Sequence, residues 1–201
     1  MDDPACTVTS ARIEDIPSML EIEKRHFDIC WCSREEVLQR LIKKDPRMFR
    51  VCKSGGVLKG YYGVIPLSYV VWRKVIKGEI TEDEAMGYVL PFHAPEVYLY
   101  IYSVIVDISD KRRKVFTRAL VRDFAREYIM RPGYKRSNIK YVGAFTVSEG
   151  GRRLLERSDF IFKGSFRAVN GTQARSYIIN QESLIRQVER SKQQCSQKRI
   201  A

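Results

Sequence analysis

Hydrophobic and polar positions alternate along this chain with two periods, and the switches between them lay out its elements in order. Ile16, Met19, Leu20, Glu23 and Phe27 recur at helical spacing, apolar save for Glu23, behind Asp15 as N-cap with Pro17 in the first turn. Ser33, followed three residues later by Glu36, reads as a capping box. It opens a second helix through Val37, Leu38, Leu41 and Ile42 that must stop before Pro46. The run from Met48 to Cys52, then Ser54-Gly55-Gly56, then Val57 to Leu67 predicts a β-hairpin. A short helix over Tyr69 to Ile76 should end at Gly78.

The strongest strand signal runs from Tyr98 to Val106, apolar or aromatic on both faces as a covered central strand requires. Tyr98, Tyr100 and Tyr102 fall on one of those faces. A long amphipathic helix follows over about Val115 to Ile129. Val115, Phe116, Ala119, Leu120, Phe124 and Tyr128 are its inward positions, and Lys114, Arg118, Arg122 and Arg126 form a basic ridge. A strand (Ile139 to Val147), a helix (Glu149 to Arg157) and two strands (Phe160 to Val169, Arg175 to Asn180) complete the pattern. The order ααββαβαβαββ predicts an α/β fold of the α+β type, with helices on both faces of one twisted sheet. No linker, repeat or low-complexity block divides it, so residues 1–180 read as one domain and 181–201 as a basic helix or tail.

Composition narrows the classes. The chain has 201 residues, 44% hydrophobic and 30% charged, which suits a globular domain and not a disordered one. No apolar run is long enough for a membrane span, and Met1-Asp2-Asp3-Pro4 does not resemble a secretory signal, so a cytoplasmic protein is expected. Five scattered cysteines do not form a disulfide framework. His26, Cys30 and Cys32 fit no common zinc spacing, and no metal site is expected. The net charge of +12 favours anionic partners without choosing among nucleic acid, membrane and nucleotide. Its placement is more telling: from Lys111 to Arg126 there are seven basic residues and one acid, Asp123.

That cluster begins on the turn between the central strand and the long helix. A helix start presents unpaired N–H groups and the positive end of the helix dipole, and Arg112, Arg113 and Lys114 add full charges. Charge runs are commonly solvated helix starts without function, but the place of this cluster on the turn itself favours a phosphate site.

Here the chain resembles the GNAT superfamily of N-acetyltransferases, over about Ala11 to Ile179. In that family a strand ending in a Val-Asp-like pair leads to a (Gln/Arg)-x-x-Gly-x-(Gly/Ala) loop whose amides hold the coenzyme A pyrophosphate. The equivalent stretch here is Arg112-Arg113-Lys114-Val115-Phe116-Thr117, followed by Arg118-Ala119-Leu120. Arg112 keeps the first position, whereas Val115 and Thr117 replace the small residues. Ala11 to Asp15, the Gly60 to Leu67 strand, Lys77 to Glu82 and Ser148 to Phe160 also match family segments, the last with its family ending in Asp159-Phe160.

The resemblance implies a mostly antiparallel GNAT-like sheet, acetyl-CoA as cofactor, and direct attack of an amine on the thioester. It implies that Val104, Ile105 and Val106 pair with the pantetheine arm and polarise the carbonyl. Arg112 to Arg118, Ser148 and Arg152 would hold the rest of the cofactor. Leu155 stands where many members carry the tyrosine that protonates the thiolate. Tyr102 occupies the usual position of a glutamate base, where it could act through water, act as an acid, or simply be a core aromatic. Glu96 and His93 precede the strand and could serve as bases, and Tyr141 is a further possible acid. His26 is a weaker candidate beside the acceptor segment. Glu79, Glu82, Asp83 and Glu84 could attract a cationic acceptor or form a solvated loop.

The leading expectation is an acyl-CoA-dependent N-acyltransferase acting on an amine of a small molecule, peptide or protein, as a monomer or homodimer away from membranes. Two alternatives stand beside it. One is a nucleic-acid-binding module, or a tRNA-directed acetyltransferase, using the basic ridge on RNA. The other is a GNAT-fold protein that binds coenzyme A without catalysis.

Overall fold

The computed structural model describes residues 6–130, 139–186 and 189–190. The expected hairpin forms from β2 (Phe49–Ser54) and β3 (Val57–Leu67). Its two-residue turn is Gly55-Gly56, with φ of +57° and +78°, a left-handed pair that side chains rarely tolerate. The remaining strands are β1 (Cys6–Ser10), β4 (Val97–Val106), β5 (Ile139–Thr146), β6 (Ile161–Arg167) and β7 (Gln173–Asn180). The helices are α1 (Ile16–His26), α2 (Glu35–Lys44), α3 (Tyr69–Lys77), α4 (Glu82–Ala85), α5 (Arg113–Phe124) and α6 (Glu149–Arg157). The strand order is β1-β2-β3-β4-β5-β7-β6; the β1–β2, β2–β3, β5–β7 and β6–β7 pairs are antiparallel and the β4–β5 pair is parallel.

Two elements escaped the sequence pattern. β1 pairs antiparallel with β2, from Cys6↔Ser54 to Ser10↔Arg50, and α4 is a single turn inside the acidic run. That run is used locally: Thr81 and Glu84 form a reciprocal capping box, and Glu82 accepts from the Tyr100 hydroxyl.

Three local readings are corrected. The capping box at Ser33 and Glu36 does not form: α2 starts at Glu35 behind Arg34, without a side-chain cap. Four buried chains, Val37, Leu38, Leu41 and Ile42, anchor that helix. At about 1.5–3 kcal/mol each they outweigh a missing cap of about 1 kcal/mol. Asp15 is the residue before α1, but its carboxylate accepts from the Arg12 amide and pairs with Lys53. Val115 does not face inward: it is exposed, and Phe116, Leu120 and Asp123 fill the buried stripe of α5.

By contact the chain forms two compact units. One comprises residues up to Val64 with Tyr102–Phe124, the other Ile65–Ile101 with the chain from Ala125 on. In the first unit, successive tyrosines of β3 point to opposite faces as a strand's pleat requires. Tyr61 meets Glu23 of α1, whereas Tyr62 meets Asp123 of α5 and stacks edge-on against Phe124. Helices therefore cover both faces of that part of the sheet. In the second unit, β4 runs parallel to β5 from Val97↔Ile139 to Tyr100↔Gly143, and β5 and β6 flank β7. Trp72 of α3 packs on Tyr98 and Tyr141 and donates to the Leu99 carbonyl.

Residues 181–186 are helical. Most of the basic tail, Cys195 included, lies outside the described residues. No helix among the described residues is long and apolar enough to cross a membrane.

Candidate active site

Three groups of side chains carry chemistry, two in the first unit and one in the second. The first is the turn from β4 into α5. Asp107 is buried there, and Ser109 donates to it from both its amide and its hydroxyl. The Ser109 hydroxyl, more than Arg25 and Lys59, holds the Asp107 carboxyl below its ordinary range. Asp110 accepts from the Arg112 amide at 2.8 Å and pairs with Lys59 at 2.9 Å, which likewise lowers its carboxyl. Arg112 is half-buried: its guanidinium reaches Ser54 and lies 5.3 Å from the centre of the Phe116 ring. Arg113 reaches only the Ile108 carbonyl, at a long 3.4 Å. Lys111 and Lys114 are exposed and have no ion-pair partner among the described residues.

The turn thus keeps two carboxylates busy and turns at least three cations outward. His26 is the last residue of α1 and lies beside this turn. Its buried Nε2 has no hydrogen-bond partner among the described residues and stands 3.9 Å from Asp107. Of the residues that the resemblance assigns to the cofactor, Ile105 and Phe116 direct their side chains into the core. Only their backbones could serve. Val104 and Val106 are half-buried, Thr117 bonds back to the Arg113 carbonyl, and Val115 and Arg118 are exposed.

The second group surrounds Tyr102. Its hydroxyl donates to Ser33 Oγ at 3.0 Å, and Ser33 Oγ donates to Glu23 Oε1 at 2.7 Å. The Ser33 amide donates to Glu23 Oε2 at 2.6 Å, and the Tyr61 hydroxyl donates to Glu23 Oε1. Glu23 is 1% exposed and makes no ion pair among the described residues. Burial, then the Glu23 charge, pushes the Tyr61 hydroxyl well above its ordinary value of 10, so Tyr61 remains a donor. Gly63 leaves room for the Tyr102 ring: a Cβ there would lie 2.6 Å from Phe49 Cε1 and 3.3 Å from Tyr102 Cδ1. Tyr102 itself is half-buried, as are Ile101, Ser103 and Val104 beside it on β4.

Sequence reasoning marked Glu23 as the one acid at a core position of α1 but did not connect it to Ser33, Tyr61 or Tyr102. Those partners lie ten to seventy-nine positions away, beyond the reach of any local pattern.

The third group, in the second unit, holds the other expected residues. Glu96 accepts from the Tyr98 hydroxyl, and Tyr141 stacks on Tyr98 with ring centres 6.2 Å apart. His93 is exposed and makes no polar contact among the described residues. Ser148 caps α6 by accepting from the Gly151 amide. Arg152 is forked between Glu149 and Glu156, and Leu155 is buried. Asp159 adopts φ +55°, the left-handed conformation that glycine serves best.

No family model matches the sequence, and no curated protein matches it. Solved structures do. The loading GNATL domain of CurA from Lyngbya majuscula aligns at TM-score 0.68 and 12% identity, over 89% of this chain and 98% of that one. A GphF GNAT-like decarboxylase in complex with isobutyryl-CoA aligns at 0.63 and 15%, over 87% and 99%. Arabidopsis thaliana NAA60 in complex with acetyl-CoA aligns at 0.60 and 12%, over 88% and 98%. Identities this low speak for architecture and not for substrate, and the architecture of this chain is the GNAT fold.

Proposed function

We propose that the chain is an acyl-CoA-dependent N-acyltransferase that moves an acetyl group from acetyl-CoA to an amine. The observation that carries this reading is the basic turn at the start of α5, whose outward cations Lys111, Arg113 and Lys114 have no acidic partner among the described residues. Neighbours of the same fold that hold acetyl-CoA or isobutyryl-CoA support it. The residues present fit a diphosphate in charge, and the exposed Val115 leaves the core undisturbed where the family has glycine. The half-buried backbone of Val104 and Val106 suits the pantetheine arm. Bound acetyl-CoA supplies an activated thioester carbonyl. Tyr102 is the protein's group for the proton of the amine, since its hydroxyl belongs to a hydrogen-bond chain and not to a purely apolar pocket. Glu96 and Tyr141, tied into the aromatic cluster of the other unit, and His93 are the lesser candidates.

Calorimetric titration with acetyl-CoA at two salt concentrations tests the reading. Saturable binding that weakens with salt is expected. The Arg112→Ala/Arg113→Ala pair should lose about tenfold or more in affinity, about 1.4 kcal/mol, while keeping its melting transition. Lys111→Ala/Lys114→Ala, which breaks no internal contact, should act in the same direction. Unchanged affinity in both folded variants would overturn the phosphate assignment. If wild-type protein binds no acetyl-CoA at either salt, the exposed Lys114-Arg118-Arg122 ridge points to RNA as the next ligand.

A further inference from the structure

We infer that Glu23 and Ser33 form a buried proton relay that positions Tyr102 and drains the proton of the acceptor amine through its hydroxyl. This rests on the transferase reading above and adds the residues that give Tyr102 its basicity. Three features carry it.

The hydrogen bonds run in one direction: Tyr102 donates to Ser33, and Ser33 donates to Glu23. Each oxygen can therefore pass its proton inward as it receives another. The carboxyl group at the end is buried and held by hydroxyl and amide donors, with no cation paired to it among the described residues. Burying a carboxyl group in that manner is unfavourable relative to a comparable apolar side chain. A purely structural role would be served more cheaply by a leucine. Finally, the outer end of the chain is the half-buried Tyr102 on β4, whereas the other hydroxyl on Glu23, that of Tyr61, is fully buried. Of the two tyrosines, Tyr102 is the one with access to solvent, and Ser33, which links it to Glu23, is half-buried as well.

The transfer balances without any redox partner. An N–H bond of the acceptor ammonium breaks as an O–H bond forms on Tyr102 Oη. The Tyr102 proton moves to Ser33 Oγ, and the Ser33 proton moves to Glu23 Oε1. The amine is left neutral with its lone pair free, both hydroxyls are restored, and Glu23 is a carboxylic acid. Tyr61 keeps its proton throughout and fixes the carboxylate in place. The other titratable group facing Glu23 is Cys32, whose thiol is raised by burial first and by the Glu23 charge second, with Lys24 opposing.

Ser33→Ala is the decisive variant, because it cuts the path while leaving the Ser33 amide on Glu23. Thiol release from acetyl-CoA would be followed against pH, with a short peptide bearing a free α-amine and with spermidine as acceptors. At pH 7 the variant should lose about 100-fold in kcat with little change in KM. Its rate should then climb about tenfold per pH unit toward wild type, as solvent deprotonates the amine in place of the relay. Tyr102→Phe should behave alike.

A second readout needs no turnover. In protein labelled with carbon-13 at the tyrosine Cζ, Glu23→Gln should move the Tyr102 resonance, although the two side chains do not touch. A Ser33→Ala profile that matches wild type, or that is lowered equally at every pH, would overturn the relay alone. Acetyl-CoA binding without thiol release from wild type would also overturn it and leave the cofactor site standing. Absence of acetyl-CoA binding would overturn the transferase reading, and the relay with it.

Discussion

Two buried carboxylates lie on opposite faces of the same strands, and the protein treats them differently. Asp123, 4% exposed, is met by a bidentate guanidinium: Arg50 donates through Nε at 2.8 Å and through Nη2 at 2.9 Å. Tyr62 adds a third donor, and Arg50 is steadied in turn by Ser10. The pair joins β1, β2, β3 and α5 into one closed, neutral cluster. Glu23, 1% exposed, has the same kind of tyrosine on it but no cation among the described residues, and its donors lead through Ser33 to Tyr102. A buried charge that is neutralised on the spot serves packing and orientation. One held by hydroxyl and amide donors, with no cation beside it among the described residues, ties its neighbours into a hydrogen-bond chain instead.

Breaking the Asp123 pair gives the largest expected effect. Arg50→Ala strands a carboxylate and Asp123→Ala strands a guanidinium, so each should cost about 3–5 kcal/mol in urea unfolding. A double replacement with apolar residues of similar volume should recover most of the loss, because no charge then remains inside. The comparison fails if the double variant is as unstable as the single ones.

Glu23→Gln should cost less, about 1–3 kcal/mol, since it strands no cation and leaves one carbonyl oxygen for the surrounding donors. Unfolding of Glu23→Gln and Asp123→Asn under the same conditions sharpens the contrast. Equal losses would mean that Glu23 is as structural as Asp123, and would weaken the case for a relay from the stability side alone.

The sequence made the two faces unequally legible. Local rules found the hairpin at Gly55-Gly56, the stop of α3 at Gly78 and the cap of α6 at Ser148, because turns, stops and caps are decided within a few residues. β1 was missed because its five residues gain their strand geometry from β2, more than forty positions away. Ser33 shows the limit most clearly. Its spacing to Glu36 satisfies a capping rule, yet a carboxylate ten residues earlier takes both its amide and its hydroxyl. Val115 fell at a helical core position but turned outward, because the buried stripe of α5 is set by Phe116, Leu120 and the Asp123 ion pair. Tyr102 stood out in the sequence as a candidate through the family resemblance and its place on the central strand. The chain behind it did not, since hydrogen bonding across faces leaves no period in the sequence.

The smallest effect concerns alkaline stability and separates the two tyrosine contacts by their protons. Tyr61 titrates well above 10 in the folded protein, through burial first and the Glu23 charge second, and near 10 when unfolded. A folded value raised in this way makes a contribution that is complete below pH 10 and is lost as pH rises through the folded value. Between those limits the unfolded chain has released a proton that the native state still holds, so stability falls by about 1.4 kcal/mol per pH unit from this group. Other tyrosines titrate there as well, so the readout is a difference between two proteins. Above pH 10 the unfolding free energy of Tyr61→Phe should decline less steeply than that of wild type, by one proton. Glu23→Gln should leave the onset near pH 10 but shorten the window, because the neighbouring charge that extends it is gone. Parallel slopes for wild type and Tyr61→Phe would show that Tyr61 shares its site with water, and that the Glu23 face is open where the Asp123 face is closed.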